Sequence, residues 1–321
     1  MEGWIAPTDY DWYSFLRDTS PYEEVNFWTP SDYFGFRGTP GAPFLFKLKA
    51  AKSRKSTLPH NVIAGFGIVS RFAKLEDWLA WDCFGKGNGA ADFSRMKARI
   101  DDYRGRNELQ GGSGVPRIGC IILSDAVFFP PELCIPQPAD WPSQNLRPMR
   151  YDLSTGEGRR IWEACQANLS AYSVRVAPEL VARVMEATPR YGEPVLVQPR
   201  IGQGVFRIAV TDAYGRACAI TGEHSLPALE AAHIKPYAAE GPHDVPNGLL
   251  LRSDLHRLFD KGYVTVTTDL QLEVSNRLKE DYSNGRSYYP LHGQRITIPS
   301  DSRCAPSPEF LRWHNDHVFR A

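Results

Sequence analysis

Leu229-Glu-Ala-Ala-His-Ile-Lys-Pro-Tyr237 and, a short way on, Asn247-Gly-Leu-Leu-Leu-Arg-Ser-Asp-Leu-His256-Arg-Leu-Phe-Asp-Lys-Gly262 decide how the C-terminal part of the chain reads. The spacing is His233-x13-Asn247-x8-His256. Residues 227–234 form a short apolar run closed by Lys-Pro, a strand pattern. Residues 240–248 are dense in turn formers and read as a loop. Leu249 to Leu251 is a second short strand. Ser253 or Asp254 is a good N-cap for a helix to about Asp260, and Gly262 falls where a helix C-cap is expected. Strand, loop, strand and helix can hold His233 and His256 on facing surfaces.

Those residue types suit phosphodiester hydrolysis. A neutral imidazole near pH 7 can take the proton of an attacking water. A divalent cation can neutralise the phosphate and stabilise the leaving oxygen. His233 therefore reads as general base and His256 as metal ligand, with Asn247 either orienting the His233 ring or bracing its loop. Lys235, Arg252 and Arg257 lie close enough in sequence to meet DNA phosphates.

Residues 200–262 resemble an HNH endonuclease of the ββα-metal type, in the variant found in bacterial restriction enzymes. The resemblance is carried, in order, by Arg200-Ile-Gly-Gln-Gly-Val-Phe-Arg207, Tyr214, Cys218-Ala-Ile-Thr-Gly222, Glu230-Ala-Ala-His-Ile234 and the run from Asn247 to Asp260. It implies that His233, Asn247 and His256 are the catalytic set. Many members carry Asp or His just before the general base as a second metal ligand, and here that position is Ala232. On a strand, residue 230 faces the same side as 232, so Glu230 is the candidate replacement. The alternative is that Glu230 pairs with a cation and water completes the metal's shell. Nitrogen and carboxylate donors suit Mg²⁺ or Mn²⁺, or Ni²⁺, better than a closed zinc site.

The length of 321 residues suggests two domains. Lys+Arg and Asp+Glu both number 37, so any DNA-binding surface must be local. One basic block, Lys47, Lys49, Lys52, Arg54 and Lys55, contains no acid; it reads equally as a phosphate-contacting surface or as a solvated loop. No secretory signal or membrane-length apolar stretch is evident, and a cytoplasmic protein is expected. The six Cys never form Cys-x-x-Cys, so a four-Cys zinc site is not expected.

From Asn26 to about Pro138 the chain is β-rich. Phe44 to Lys49, Val62 to Val69 and Ile118 to Leu123 read as strands. Tyr10 to Arg17, Leu75 to Cys83 and Ala91 to Tyr103 read as helices. Glycines inside the strands suggest a small curved barrel. Asn26-Phe-Trp-Thr-Pro-Ser31, Phe44 to Lys49, Ile63 to Val69 and Trp81-Asp-Cys-Phe-Gly-Lys-Gly-Asn-Gly89 resemble PUA-like barrels of the EVE and YTH-like branch. That resemblance implies an aromatic pocket for a flipped, modified base. Trp28, Trp81 and Phe84 could stack on it, and Asn26, Ser31, Asp32 and Asn88 could read its edge; as alternatives, the aromatics fill core and Asn88 makes a turn.

The fold expected is thus α+β: a PUA-like domain over 1–165, a linker with a helix near Pro178 to Ala187 over 166–199, and a ββα-metal nuclease over 200–321. The function expected is a modification-dependent endonuclease acting on double-stranded DNA with a methylated or hydroxymethylated cytosine. Cutting both strands needs two active sites, which makes a homodimer on DNA an open expectation; no membrane partner is expected. A modification-independent nickase or defence effector, and a non-catalytic nucleic-acid-binding protein, are the alternatives. His314 and His317, one helical turn apart, read as packing or surface residues. His243-Asp244 reads as a solvated loop, with a metal or DNA contact as the alternative.

Overall fold

A computed structural model describes residues 1–30, 38–49, 59–106, 116–143, 145–171 and 201–321. The chain divides into two compact units, Met1–Arg200 and Ile201–Ala321. The expected helix near Pro178 to Ala187 lies outside the described residues.

In the first unit one sheet contains β1 (Glu2–Thr8), β2 (Glu24–Thr29), β3 (Pro43–Leu48), β4 (Val62–Glu76), β5 (Arg117–Phe128), β6 (Ile135–Pro136) and β7 (Met149–Asp152). Its path runs β2-β5-β4-β3-β1-β7, with β6 paired to β4. β1 and β3 are parallel, and the other pairs are antiparallel. Successive side chains on a strand point to opposite faces, and here both faces are covered. Ile5, Leu45, Phe66 and Ile68 pack with Trp162 and Cys165 of the helix α4 (Gly156–Ala171). Ala6, Phe44, Phe46 and Val69 pack with Trp12, Tyr13 and Leu16 of α1 (Tyr10–Thr19). This is why β3 and the first half of β4 read as nearly unbroken apolar runs.

The barrel expectation is corrected. Among the described residues the path ends at β2 and β7, which do not pair with each other, so the sheet is open. β4 is longer than its apolar run suggests and carries two bulges against β5, between Phe66 and Ile68 and between Val69 and Arg71. Gly65, at φ +144°, lies tight against β5: a Cβ there would lie 2.0 Å from the Val127 carbonyl oxygen. Bulges bend and twist a strand, so the glycines that suggested closure bend a sheet that remains open. After β4 come α2 (Asp77–Phe84) and α3 (Phe93–Arg106).

The second unit opens with α5 (Gln203–Ala213), followed by the antiparallel hairpin β8 (Leu229–His233) and β9 (Gly248–Arg252) and the helix α6 (Ser253–Asp260). Val205, Phe206, Ile208 and Val210 give α5 a buried side. Its partners include Leu229, Ala232, Leu249, Leu251, Leu255 and Phe259 from the hairpin and α6. A second hairpin, β10 (Val264–Val266) with β11 (Leu272–Val274), and the helices α7 (Arg277–Tyr282) and α8 (Pro308–His317) complete the unit. The capping expectation is corrected: Arg252 is the N-cap residue of α6, and no side chain caps it. Ser253 instead donates to the Ala228 carbonyl at 3.1 Å, and Asp254 pairs with Arg252 at 2.6 Å. Both hydroxyl and carboxylate are thereby spent on holding the helix to its own hairpin.

Candidate active site

His233 is the last residue of β8, and two contacts fix its ring, one of them backed by a third residue. Phe206 of α5, 1% exposed, lies flat beneath it with ring centroids 3.8 Å apart and planes 15° apart. His243 reaches its Nε2 through Nδ1 at 3.0 Å. Tyr237 in turn stacks on His243 at 4.7 Å and 9°. Among the described residues no group bonds Nδ1 of His233. Burial, then the neighbouring His243 and His256, push the His233 imidazole down to about 4. It is therefore neutral near pH 7, the state a general base needs.

Asn247 is fully buried. Its Oδ1 accepts from the Lys235 N–H at 2.8 Å, and its Nδ2 donates to the Lys235 and Pro242 carbonyls, both at 2.9 Å. Of the two roles read from the sequence for Asn247, these bonds match the bracing one. Its amide ties the end of β8 to the residue before His243, and none of its bonds goes to the His233 ring. Gly248 follows it on β9 with no room for a side chain: a Cβ there would stand 2.4 Å from Val210 Cγ2 and 3.1 Å from the Phe206 ring.

His256 sits in the second turn of α6 and meets two carboxylates. Its Nδ1 lies 2.7 Å from Glu230 Oε2, and its Nε2 lies 3.4 Å from Asp260 Oδ2, one turn along the helix. Burial raises the Glu230 carboxyl, but the bond and charge of His256, with Ser253 and Arg207, hold it below its ordinary value. Among the described residues no group of three His, Cys, Asp or Glu is arranged as a metal cage. Glu230 and His256 still fit a divalent ion. Two neighbouring ligands of an octahedral Mg²⁺ stand about 3 Å apart and waters fill the rest, while Asp260 can accept from the ring's other nitrogen and fix its tautomer.

The candidate DNA-contacting cations are placed unevenly. Arg257 is exposed, whereas Arg252 is held by Asp254 and Lys235 lies over the Trp313 ring at 5.9 Å. Lys49 pairs with Asp9 at 2.7 Å. Lys47 is a correction. It is 4% exposed in β3, its amine sits 5.1 Å over the Trp141 ring and donates to Asn61 Oδ1 at 3.4 Å, and burial lowers its pKa, so the amine is turned away from any phosphate at the surface. Both faces of β3 are covered, which turns the lysine stem inward. Lys52, Arg54 and Lys55 lie outside the described residues.

In the first unit Asn26, Trp28 and Asn88 come together, but as a closed junction. Asn26 and Asn88 are fully buried. Asn26 Nδ2 donates to Asn88 Oδ1 at 2.9 Å, Asn88 Nδ2 donates to the Ala80 and Gly85 carbonyls, and Trp28 Nε1 donates to the Asn88 carbonyl at 2.9 Å. The edge-reading role expected of both asparagines is corrected on this ground, because their donors are spent and no solvent reaches them. Phe84 is 9% exposed, and partly exposed Trp81 packs against Phe93 at 6.3 Å. Ser31 and Asp32 lie outside the described residues.

Sequence reasoning gave Phe206 and Tyr237 no role, and it read His243 as a solvated loop residue or a metal or DNA contact rather than as a partner of His233. A signal for His243 existed in its position between His233 and Asn247, but the turn-rich segment around it reads as solvent-exposed. His314 is 2% exposed, bonded to Thr265 Oγ1 and the Phe259 carbonyl, and His317 stacks on Trp313. Their partners are separate, so His314 is a packing residue and His317, exposed, a surface one.

Residues 218–267 match the HNH endonuclease family, so this segment is an HNH endonuclease domain and the chain carries a nuclease. No curated protein matches the chain. Among solved structures, two mutant forms of the ZmASCH protein from Zymomonas mobilis match at 9% identity with TM-scores of 0.32 and 0.31. Each covers 50% of this chain, and 96% and 94% of its own length. A structure described as the modification dependent TagI restriction endonuclease matches at 13% identity and TM-score 0.30, covering 98% of this chain and 80% of its own. HNH nucleases use a divalent metal, and no helix among the described residues is long and apolar enough to cross a membrane.

Proposed function

We propose that the chain is a modification-dependent DNA endonuclease, with the HNH domain as its cutting unit and the first unit as the part that selects modified DNA. The observation that carries the cutting role is His233 itself: neutral, backed by Phe206, with Nδ1 unbonded, beside the Glu230–His256 pair. In this reading His233 Nδ1 takes a proton from water, and the resulting hydroxide attacks phosphorus. The P–O bond to the leaving oxygen breaks, and that oxygen is protonated by solvent. A divalent ion held by Glu230 and His256 would supply charge for the phosphate and the leaving oxygen. Asn247 holds the loop that carries His243, and Arg257, exposed on α6, would meet a neighbouring phosphate.

The selecting role rests on the sequence resemblance of residues 26–165 to PUA-like base-flipping domains, although the sheet of the first unit is open. With Asn26, Asn88 and the Trp28 N–H committed to one another, stacking on Trp81 or on the face of Trp28 is the recognition open to the described residues. The same closed junction favours a second reading, a nuclease indifferent to modification. Cleavage of matched plasmids carrying cytosine, 5-methylcytosine, 5-hydroxymethylcytosine or N6-methyladenine, with Mn²⁺, separates them. Preferential cutting of a modified-cytosine plasmid supports the first reading, equal cutting of all four supports the second, and no cutting of any removes both.

A further inference from the structure

We propose that His243 is the positioning residue of the general base: its Nδ1 accepts the Nε2 proton of His233 and so leaves Nδ1 of His233 as the basic nitrogen. This rests on the reading of His233 as base and adds to it a residue outside the His-Asn-His set.

Three observations converge on it. First, the two rings share a hydrogen bond at 3.0 Å between His233 Nε2 and His243 Nδ1, with their planes 64° apart. A neutral imidazole has one protonated and one basic nitrogen. If His233 donated from Nδ1 instead, its Nε2 lone pair would be consumed by His243 and no basic nitrogen would remain for water. Second, the usual candidate for orienting the ring is occupied elsewhere, since all three bonds of the Asn247 amide go to backbone atoms. Third, His243 is itself held. Tyr237 stacks flat on its outer face, and the residue before it, Pro242, is tied to Asn247. The order Tyr237, His243, His233, Phe206 therefore forms one ladder of rings, running from a tyrosine 67% exposed to a phenylalanine 1% exposed.

In the reaction the water's proton goes to His233 Nδ1, while the Nε2 proton remains in the bond to His243. The imidazolium that forms is thus stabilised by an acceptor already in place, as an orienting partner does for a catalytic histidine.

The test uses the full chain with ¹⁵N-labelled histidine and two variants. His243→Phe keeps a ring for Tyr237 to stack on and removes the acceptor. His243→Asn places an amide oxygen where Nδ1 stood. In wild type at neutral pH, ¹⁵N shifts should show His233 protonated at Nε2; in His243→Phe they should show a tautomer mixture. On 5-methylcytosine plasmid with Mn²⁺, His243→Phe should lower kcat by roughly 10–100-fold, the usual range for loss of an orienting partner, with KM little changed, and His243→Asn should recover most of the rate. A wild-type His233 protonated at Nδ1 overturns the proposal, as does a His243→Phe variant cutting at full rate. Equal losses in both variants with the tautomer unchanged overturn it too. Should His243→Phe fail to fold, the wild-type spectrum and the His243→Asn rate still decide. If wild type cuts no plasmid, the nuclease reading fails on its own, and the spectrum alone judges the role of His243.

Discussion

Replacing Asn247 by alanine should cost the nuclease unit much of its stability as well as its activity. The side chain is fully buried and makes three hydrogen bonds, at 2.8, 2.9 and 2.9 Å, all to backbone atoms of the Lys235–Pro242 segment. Each such bond contributes about 1 kcal/mol net, and a buried donor left without a partner costs at least as much, so the loss is about 3 kcal/mol. At roughly 4 °C per kcal/mol for a domain of this size, Tm should fall by about 10 °C. Scanning calorimetry of the full chain would follow the transition of the second unit. Asn247→Asp is the informative companion. It keeps the acceptor for the Lys235 N–H but sets a carboxylate against the Lys235 and Pro242 carbonyls, and it should be no better. A shift below about 2 °C for Asn247→Ala, a fraction of the loss worked out above, would refute the bracing argument. A stable but inactive variant would move Asn247 from the scaffold to the DNA or the metal.

His233→Ala should lower the cleavage rate by on the order of 10²–10⁴ while leaving plasmid binding intact; near wild-type cutting would remove His233 from the mechanism. Glu230→Gln removes the carboxylate charge beside His256 and should raise the Mn²⁺ concentration needed for half-maximal cleavage about tenfold or more, and an unchanged requirement would exclude Glu230 as a ligand. Stability should fall on acidification. Burial, against the pull of its bond to Phe259, holds His314 down to about 4, and burial with His243 and His256 does the same for His233. The unfolded chain takes these protons near pH 6.5 and the folded one only near 4, so stability is full above the first value and is lost between them. At about 1.4 kcal/mol per pH unit, His314 alone accounts for about 3 kcal/mol across that window. Urea midpoints at pH 7 and pH 4.5 measure it, and a His314→Gln variant whose midpoint falls as far as wild type's would contradict the assignment.

The hairpin and helix of the nuclease segment were legible because local chemistry signals them: a short apolar run closed by Lys-Pro in β8, a turn-rich loop, three leucines in β9, and polar residues and Gly262 bounding α6. The ring contacts were not, because they join residues distant in sequence. Phe206 reaches His233 only once α5 lies across the hairpin, and His243 reaches it only once Asn247 has pulled Pro242 inward. In the first unit a charge count grouped Lys47 with its basic neighbours, although position 47 lies in a strand buried on both faces. The Asn26–Asn88 bond joins β2 to a turn after α2, a pairing that no periodicity signals. Strands β1 and β2 escaped notice because Trp, Pro and acidic residues interrupt their apolar pattern.

Gly248 follows the motif asparagine, and in a sequence it passes for the second half of an Asn-Gly turn. At φ −126° it needs no special backbone freedom. Its work is to be thin: with nothing but hydrogen on its Cα, α5 can lie close enough to set the Phe206 ring beneath His233. The glycine thus acts as a spacer of zero thickness between scaffold and reacting group, and the angle of the base is set by a residue that touches neither water nor DNA. A single added methyl would meet Val210 Cγ2 at 2.4 Å and press on that ring at 3.1 Å, and trimming Val210 would be the natural way to relieve it. Activity in this domain can therefore be tuned from behind the site, by exchanging volume between β9 and α5, without altering any side chain that meets the substrate.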